Sequence, residues 1–199
     1  MTSAAAIVLI LAYLIGSIPF GVILGRAWTG VDVRKHGSGN IGATNVLRTL
    51  GLRFAAATFV LDAGKGAVAV LLAGAIGAGH GVAALAGLLA VVGHNWPVFL
   101  DFRGGKGIAT SWGFITATVP AAGLAFALIW VAIVIVTRYA SLGSMIGAAA
   151  TPIVCLLVSA PWQYVAASTV VAVFAVLRHG ANIRRLRAGN ENRISFKRD

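Results

Sequence analysis

The chain has 199 residues, of which 59% are hydrophobic and 11% charged, and its 16 Lys+Arg against 5 Asp+Glu give a formal net charge of +11. A water-soluble domain is nearer half apolar and a quarter charged, so a mean hydropathy of +0.91 excludes that class. The single cysteine, Cys155, excludes a disulfide framework and any cysteine-based metal cluster.

Asp, Glu, Lys and Arg are absent from residues 1–25, 66–100, 107–137 and 139–177. Since a membrane helix needs about 20 apolar residues, these runs predict an all-α, polytopic membrane protein. Met1-Thr2-Ser3 lacks the basic segment of a cleaved leader, so the first apolar stretch is expected to stay as a span over 4–25. Gly77-Ala78-Gly79-His80-Gly81 separates a second span, 54–76, from a third, 82–99. Pro120 divides the next run into 107–119 and 121–137, and Ser159-Ala160-Pro161 divides the last into 143–158 and 162–178. A basic tail, 179–199, follows.

If Pro120 only kinked one long helix there would be six spans, and the distribution of Lys and Arg decides against that. Under seven spans the basic residues of Arg26–Arg53, Arg103 and Lys106, Arg138, and Arg178–Arg198 share one side, while the opposite loops near 77–81, 120 and 159–162 carry none. The positive-inside rule then predicts seven transmembrane helices, the N-terminus outside and the C-terminus cytoplasmic, with spans four and five short. The excess charge reads as this orientation signal and as attraction to anionic lipid. A basic groove studded with aromatics is missing, so no nucleic-acid partner is expected.

Three polar segments fall on the expected cytoplasmic face. The first is His36-Gly37-Ser38-Gly39-Asn40-Ile41-Gly42-Ala43-Thr44-Asn45 with Arg48. The second is Arg103-Gly104-Gly105-Lys106-Gly107, preceded by His94-Asn95-Trp96-Pro97. The third is Arg178-His179 with Asn182, Arg184 and Arg185. Glycines let backbone N–H groups converge on an anion, Ser38, Asn40 and Thr44 add side-chain donors, and Arg48 and Lys106 add charge. Either loop alone also suits close helix packing, and Lys106 alone suits headgroup anchoring. Two loops of one chemistry on one face, joined by His179, favour a phosphate site. Neither has the Gly-x4-Gly-Lys-Ser/Thr spacing of a nucleotide loop.

If the last span continues as helix past Arg178, His179, Asn182 and Leu186 share a face at i, i+3 and i+7; the alternative is that His179 and Asn182 cap the helix end. Asp62 and Lys65, at i and i+3 inside span two, read as a structural ion pair facing the bundle interior. Ser141, beside Arg138 and Tyr139, either reaches a ligand or is a plain loop serine. His80 and Cys155 read as incidental. A Gly-x-Ser-x-Gly elbow, a His-x4-Asp pair and a His-Glu-x-x-His metal motif are all missing, and the five acids are scattered, so no metal and no cofactor are expected.

Gly16-Ser17-Ile18-Pro19-Phe20-Gly21, Gly37 to Asn45, Leu61-Asp62-x-x-Lys65-Gly66, Gly93-His94-x-x-Pro97-Val98-Phe99, Gly104-Gly105-Lys106-Gly107 and Arg178-His179-x-x-Asn182-Ile183-x-Arg185-Leu186 occur in order across about residues 12–193. This set closely resembles the signatures of the bacterial acyl-phosphate:glycerol-3-phosphate acyltransferases, the PlsY family. The resemblance implies a seven-helix enzyme of the bacterial inner membrane with its site facing the cytoplasm. Such an enzyme moves a fatty acyl group from acyl phosphate to the 1-hydroxyl of glycerol 3-phosphate, giving 1-acyl-glycerol 3-phosphate (lysophosphatidic acid) and phosphate, with no obligate protein partner. Carried over by motif, Ser38, Gly39, Asn40 and Arg48 belong to one phosphate site, and Gly104, Gly105, Lys106 and Gly107 to a second. Gly37, Thr44, Asn45, Ser141 and Arg185 join the expected substrate contacts, His179, Asn182 and Ser38 the catalytic group, and Glu191 takes a structural role. The hydroxyl proton goes either to His179 or to a substrate phosphate oxygen. The same cationic loops would also suit a transporter of organic phosphates, although no convincing internal repeat supports one.

Overall fold

In the computed structural model, which describes residues 2–194, every regular element is helical. The helices are α1 (Ser3–Ser17), α2 (Phe20–Thr29), α3 (Ala43–Leu50), α4 (Leu52–Ala75), α5 (His80–Asn95), α6 (Ile108–Thr118), α7 (Pro120–Thr137), α8 (Ala140–Leu157), α9 (Trp162–Arg178) and α10 (Gly180–Arg187). Lys197 and Arg198 of the expected basic tail lie outside the described residues.

Helices α4, α7 and α8, and α5 together with the turn that continues it to Leu100, are each long and apolar enough to cross a bilayer; counting each bent pair, α1 with α2 and α9 with α10, as one span raises the number to six. The seventh crossing expected from sequence would rest on α6. Its 11 residues rise about 16 Å, roughly half of a 30 Å hydrocarbon core.

The first expected span is broken. Proline has no N–H and its ring crowds the preceding turn, so the helix stops at Ser17, and α2 leaves at 44° after Ile18-Pro19. The Ile18 carbonyl at the break accepts from the Lys65 ammonium at 3.0 Å. At Pro120 the chain turns back. Trp112 Nε1 donates to the Gly123 carbonyl at 2.9 Å across 11 residues, which in one continuous helix would be separated by about 16 Å of rise. Proline is here the first residue of a new helix, where its missing N–H costs nothing.

Lipid tails are as apolar as leucine, so helices in a membrane associate through close approach and not through burial of oily side chains. The interior accordingly carries fully buried Ala12, Ala69, Ala73, Ala86, Ala90 and Ala122, while Leu128, Val136, Leu157 and Leu177 are exposed. Helices α4 and α6 meet backbone to backbone: a methyl group on Gly66 would run into the Thr110 carbonyl, and one on Gly113 into the Ala63 carbonyl. The antiparallel course of the helices brings residues 30–42, 96–107, 138–139 and the α9–α10 junction to one end of the bundle. The last three are tied there by Arg178 to Gly104 and Gly105, Lys106 to Asn182, and Ile194 N–H to the Arg138 carbonyl.

Candidate active site

The first loop is built around Asn45 at the start of α3. This buried amide donates to the carbonyls of Val33, Asn40 and His36 and accepts from Ser38 N–H at 2.8 Å. Gly37, at φ +59°, makes room for it, because a methyl group there would collide with Asn45 Oδ1. Asn45, grouped with the substrate contacts from sequence, is therefore the peg that holds the loop, and its hydrogen bonds are spent inside the protein. Backbone donors expected to cradle an anion are similarly committed: Ser38 N–H to Asn45, Gly39 N–H to the His36 carbonyl and Gly42 N–H to Asn40 Oδ1. Gly37 and Gly39 shape the loop, and Gly39 lines a separate surface groove. Ser38, Asn40, Thr44, Asn45 and Arg48 line the cavity, together with the first turn of α3. A helix N-terminus favours an anion through its free N–H groups.

The second loop lies on His94. Gly105 N–H donates to the His94 carbonyl at 2.9 Å, and a methyl group on Gly105 would drive into the His94 ring. From above, the Arg178 guanidinium donates to the carbonyls of Gly104 and Gly105 at 2.8–3.0 Å. Gly104 and Gly105, expected as phosphate contacts, thus have a packing reason to be glycine and stand back from the cavity, whereas Lys106 and Gly107 line it.

The third segment does not continue α9. The chain bends by 57° at His179 before α10, so the shared face expected from an unbroken helix does not form in that way. Both side chains nevertheless turn inwards. The buried His179 Nδ1 lies 2.6 Å from the Ala175 carbonyl. A carbonyl can only accept, so Nδ1 carries the hydrogen and Nε2 is left with a lone pair. Burial, and then the Lys106 ammonium, push the His179 pKa down to about 4.

A carboxylate that sequence treated as structural is the hub of the polar wall. Glu191 Oε1 accepts from Asn182 Nδ2 at 2.5 Å and from the Ser141 hydroxyl at 2.8 Å, and its Oε2 accepts from Arg185 Nε at 2.8 Å. Ser141 and Arg185, expected to contact substrate, therefore hold Glu191. Asn182 Oδ1 in turn accepts from Lys106 Nζ at 2.6 Å. Burial opposes ionisation of Glu191, but the hydrogen bonds from Asn182, Ser141 and Arg185 outweigh it and keep the carboxyl below its usual range. Desolvation is also the main cause that lowers Lys106 to about 8 and depresses Arg48. Arg48, Lys106 and Arg185 around one carboxylate leave an excess of positive charge that suits a phosphate.

Ser38, Asn40, Thr44, Arg48, Lys106, Gly107, His179, Asn182, Ser141 and Glu191 border a single cavity. Apolar Phe59, Ile108 and Trp130 line the same cavity, with Trp112 tilted against Phe59 at 5.4 Å between ring centres. Sequence reasoning passed over Phe59 and Trp130, since aromatics in apolar helices look the same facing lipid, core or substrate. Asp62 and His94 also line the cavity, and Lys65 Nζ meets Asp62 Oδ1 at 2.8 Å. Among the described residues no three His, Cys, Asp or Glu side chains converge as metal ligands.

The model of the family described as glycerol-3-phosphate acyltransferase matches residues 6–189. The glycerol-3-phosphate acyltransferase of Desulforudis audaxviator is 46% identical over 198 residues, covering 98% of this chain and 100% of that protein. The protein of the same name from Agrobacterium fabrum is 48% identical over 96% of this chain and 93% of its own length. In structure the chain is similar to crystal structures of PlsY (YgiH), an integral membrane glycerol 3-phosphate acyltransferase. Its glycerol 3-phosphate form matches with a TM-score of 0.92 at 37% identity, covering 97% of this chain and 96% of that one. Its lysophosphatidic acid form matches with a TM-score of 0.90. Motif order, helical architecture and likeness along nearly the whole chain agree: this multi-pass membrane protein belongs to the glycerol-3-phosphate acyltransferase family and is an acyltransferase of the PlsY type.

Proposed function

We propose that the chain transfers a fatty acyl group from acyl phosphate to the 1-hydroxyl of glycerol 3-phosphate, releasing 1-acyl-glycerol 3-phosphate and inorganic phosphate. It does so at the cytoplasmic face of the bacterial inner membrane, from a seven-span fold in which α6 is the short crossing and the N-terminus lies outside. The observation that carries this reading is the mixed cavity, which brings Arg48, Lys106, Ser38 and His179 together with apolar Phe59, Ile108 and Trp130.

The phosphate of glycerol 3-phosphate is held by Arg48 and Lys106 and by the first turn of α3, with Thr44 and Asn40 as further donors. The acyl chain of the donor lies along the apolar side chains, its carbonyl beside the Ser38 hydroxyl. As the 1-hydroxyl attacks that carbonyl, negative charge develops on the carbonyl oxygen, and a preorganised donor there is typically worth roughly 10²–10³ in rate. Phosphate is the leaving group, so the carbonyl is already activated and no acyl-enzyme is needed.

His179 Nε2 accepts a hydrogen bond from the attacking hydroxyl and orients it. With its pKa pushed down to about 4, placing a full proton on the ring at pH 7 costs about 4 kcal/mol. The proton passes instead to an oxygen of the departing phosphate. One C–O bond forms, one breaks, and the phosphate leaves carrying the hydroxyl proton. This scheme needs no metal, cofactor, nucleic acid or second protein.

The test is purified protein in lipid nanodiscs with acyl phosphate and glycerol 3-phosphate, following phosphate and lipid together. Phosphate and 1-acyl-glycerol 3-phosphate appearing in equal amounts is the expected result. Equal turnover with acyl-CoA would overturn the donor assignment, and uptake into sealed vesicles without any product would favour a transporter.

A further inference from the structure

Asp62 and Lys65 look at first like a tie between helices, since the Lys65 ammonium also caps the Ile18 carbonyl where α1 breaks. Two observations go beyond a tie. The pair lies beside the last turn of α5 and the first of α6, and Asp62 and His94 both line the substrate cavity. His94 Nδ1 lies 3.5 Å from Asp62 Oδ1, and both side chains are almost fully buried. The carboxylate is therefore the charged group that the ring faces from below, while the opposite side of the same ring presses against Gly105.

From there the chain of contacts reaches the site in one residue. Gly105 is fixed below by the His94 ring and carbonyl and above by Arg178, and the next residue is Lys106, whose ammonium meets Asn182. Moving the ring displaces Gly105, and Lys106 with it. A buried ion pair is seldom retained for stability, because well-packed apolar residues often serve as well or better; a charge in such a place more readily fixes one arrangement among several. Here the arrangement fixed is that of an imidazole under a loop with no side chains of its own to hold it.

We propose that Asp62 and His94 are positioning residues for glycerol 3-phosphate: the Lys65-anchored carboxylate sets the His94 ring, and the ring sets the height of the Gly104–Gly107 loop and so the place of the Lys106 ammonium. The inference rests on the reading of Lys106 as a phosphate ligand.

The test measures equilibrium binding of glycerol 3-phosphate by calorimetry, without acyl donor, to wild type, Lys106→Ala, His94→Gln and the charge-neutral pair Asp62→Asn/Lys65→Met, the fold of each being checked by thermal unfolding. A displaced ammonium, weakening one charge-assisted hydrogen bond to phosphate, is expected to reduce binding about tenfold in His94→Gln and in the pair variant. Because both act through Lys106, neither change should weaken binding further once Lys106 is alanine, which a merely structural role would not produce. Gly105→Ala, which keeps every charge but presses on the His94 ring, should show the same loss and serves if the pair variant fails to fold. Wild-type affinity in a folded pair variant or in Gly105→Ala overturns the proposal, as does a loss that persists undiminished on the Lys106→Ala background. Wild-type affinity in Lys106→Ala itself would overturn the phosphate-ligand reading and this proposal with it.

Discussion

Lys106 offers a test that the geometry makes quantitative. Burial is the largest cause lowering its pKa to about 8; Arg185, Arg48 and Arg178 push the same way and Glu191 opposes them. A bound phosphate dianion at its tip would return it towards the ordinary lysine value of about 10.4. Above pH 8 the empty site must then take up a proton to bind, so affinity falls as pH rises. With a pKa of about 8 the ammonium is about nine-tenths formed at pH 7 and about one-tenth formed at pH 9, which makes binding about tenfold weaker at pH 9. A phosphate monoester is doubly ionised across nearly all of that range, with its second pKa at about 6, so the ligand adds little slope of its own. Calorimetric titration with glycerol 3-phosphate at pH 7, 8 and 9, in two buffers of different ionisation enthalpy, measures both the affinity and the proton uptake. In Lys106→Arg the guanidinium stays charged throughout and the decline should vanish. A wild-type affinity unchanged between pH 7 and 9, or an equal decline in Lys106→Arg, would refute the reasoning.

Three further outcomes are expected. If His179 orients the hydroxyl as a neutral ring, kcat shows no inflection near pH 6.5, and His179→Ala lowers it by roughly 10²–10³ without creating one; an inflection near 6.5 that disappears in the variant would make His179 the base after all. Glu191 has a folded pKa held below its unfolded value, so its contribution to stability is present above about pH 4.5 and is lost as pH falls through the lower folded value. Glu191→Gln should therefore flatten the acid limb of thermal stability, and an unchanged limb would contradict the hydrogen-bond pattern drawn around it. A cysteine at exposed Ala121, just past the turn between α6 and α7, should react with an impermeant maleimide from the side opposite a cysteine placed at Arg138, the native Cys155 staying silent because it is buried. Reaction of both from the same side would remove α7 from the membrane-crossing set.

Chemistry that repeats along the sequence was legible, and chemistry assembled across it was not. Charge-free runs mark apolar helices because the bilayer tolerates little else, and Pro120 marks the return between α6 and α7 because proline can only begin the second helix. The break at Pro19 is the same physics, yet an uninterrupted apolar run hid it. Asp62 and Lys65 are a readable i, i+3 spacing, whereas His94 joins them only through packing. Glu191 and Ser141 are separated by 50 positions, and nothing in an isolated acid within a basic tail indicates which hydroxyl and amide it will meet. Asn45 is a related case: sequence shows a donor in a polar loop, but that it pegs the loop depends on where the Val33 and Asn40 carbonyls lie. Glycine was ambiguous in kind. Gly104 and Gly105 look alike as anion cradle or as close packing, and only the His94 ring beneath them separates the two.

The hub carboxylate comes after the last helix. Residue 191 docks against Ser141 and Asn182, Arg48 reaches the Asn192 carbonyl, and Ile194 ties back to Arg138. Without that segment the described helices α1 to α10 would remain, but Arg48, Lys106 and Arg185 would face one another without the carboxylate that organises them. The polar wall is thus closed by a segment outside the helical bundle, so a change confined to residues 191–194 should reach the cavity without touching any helix.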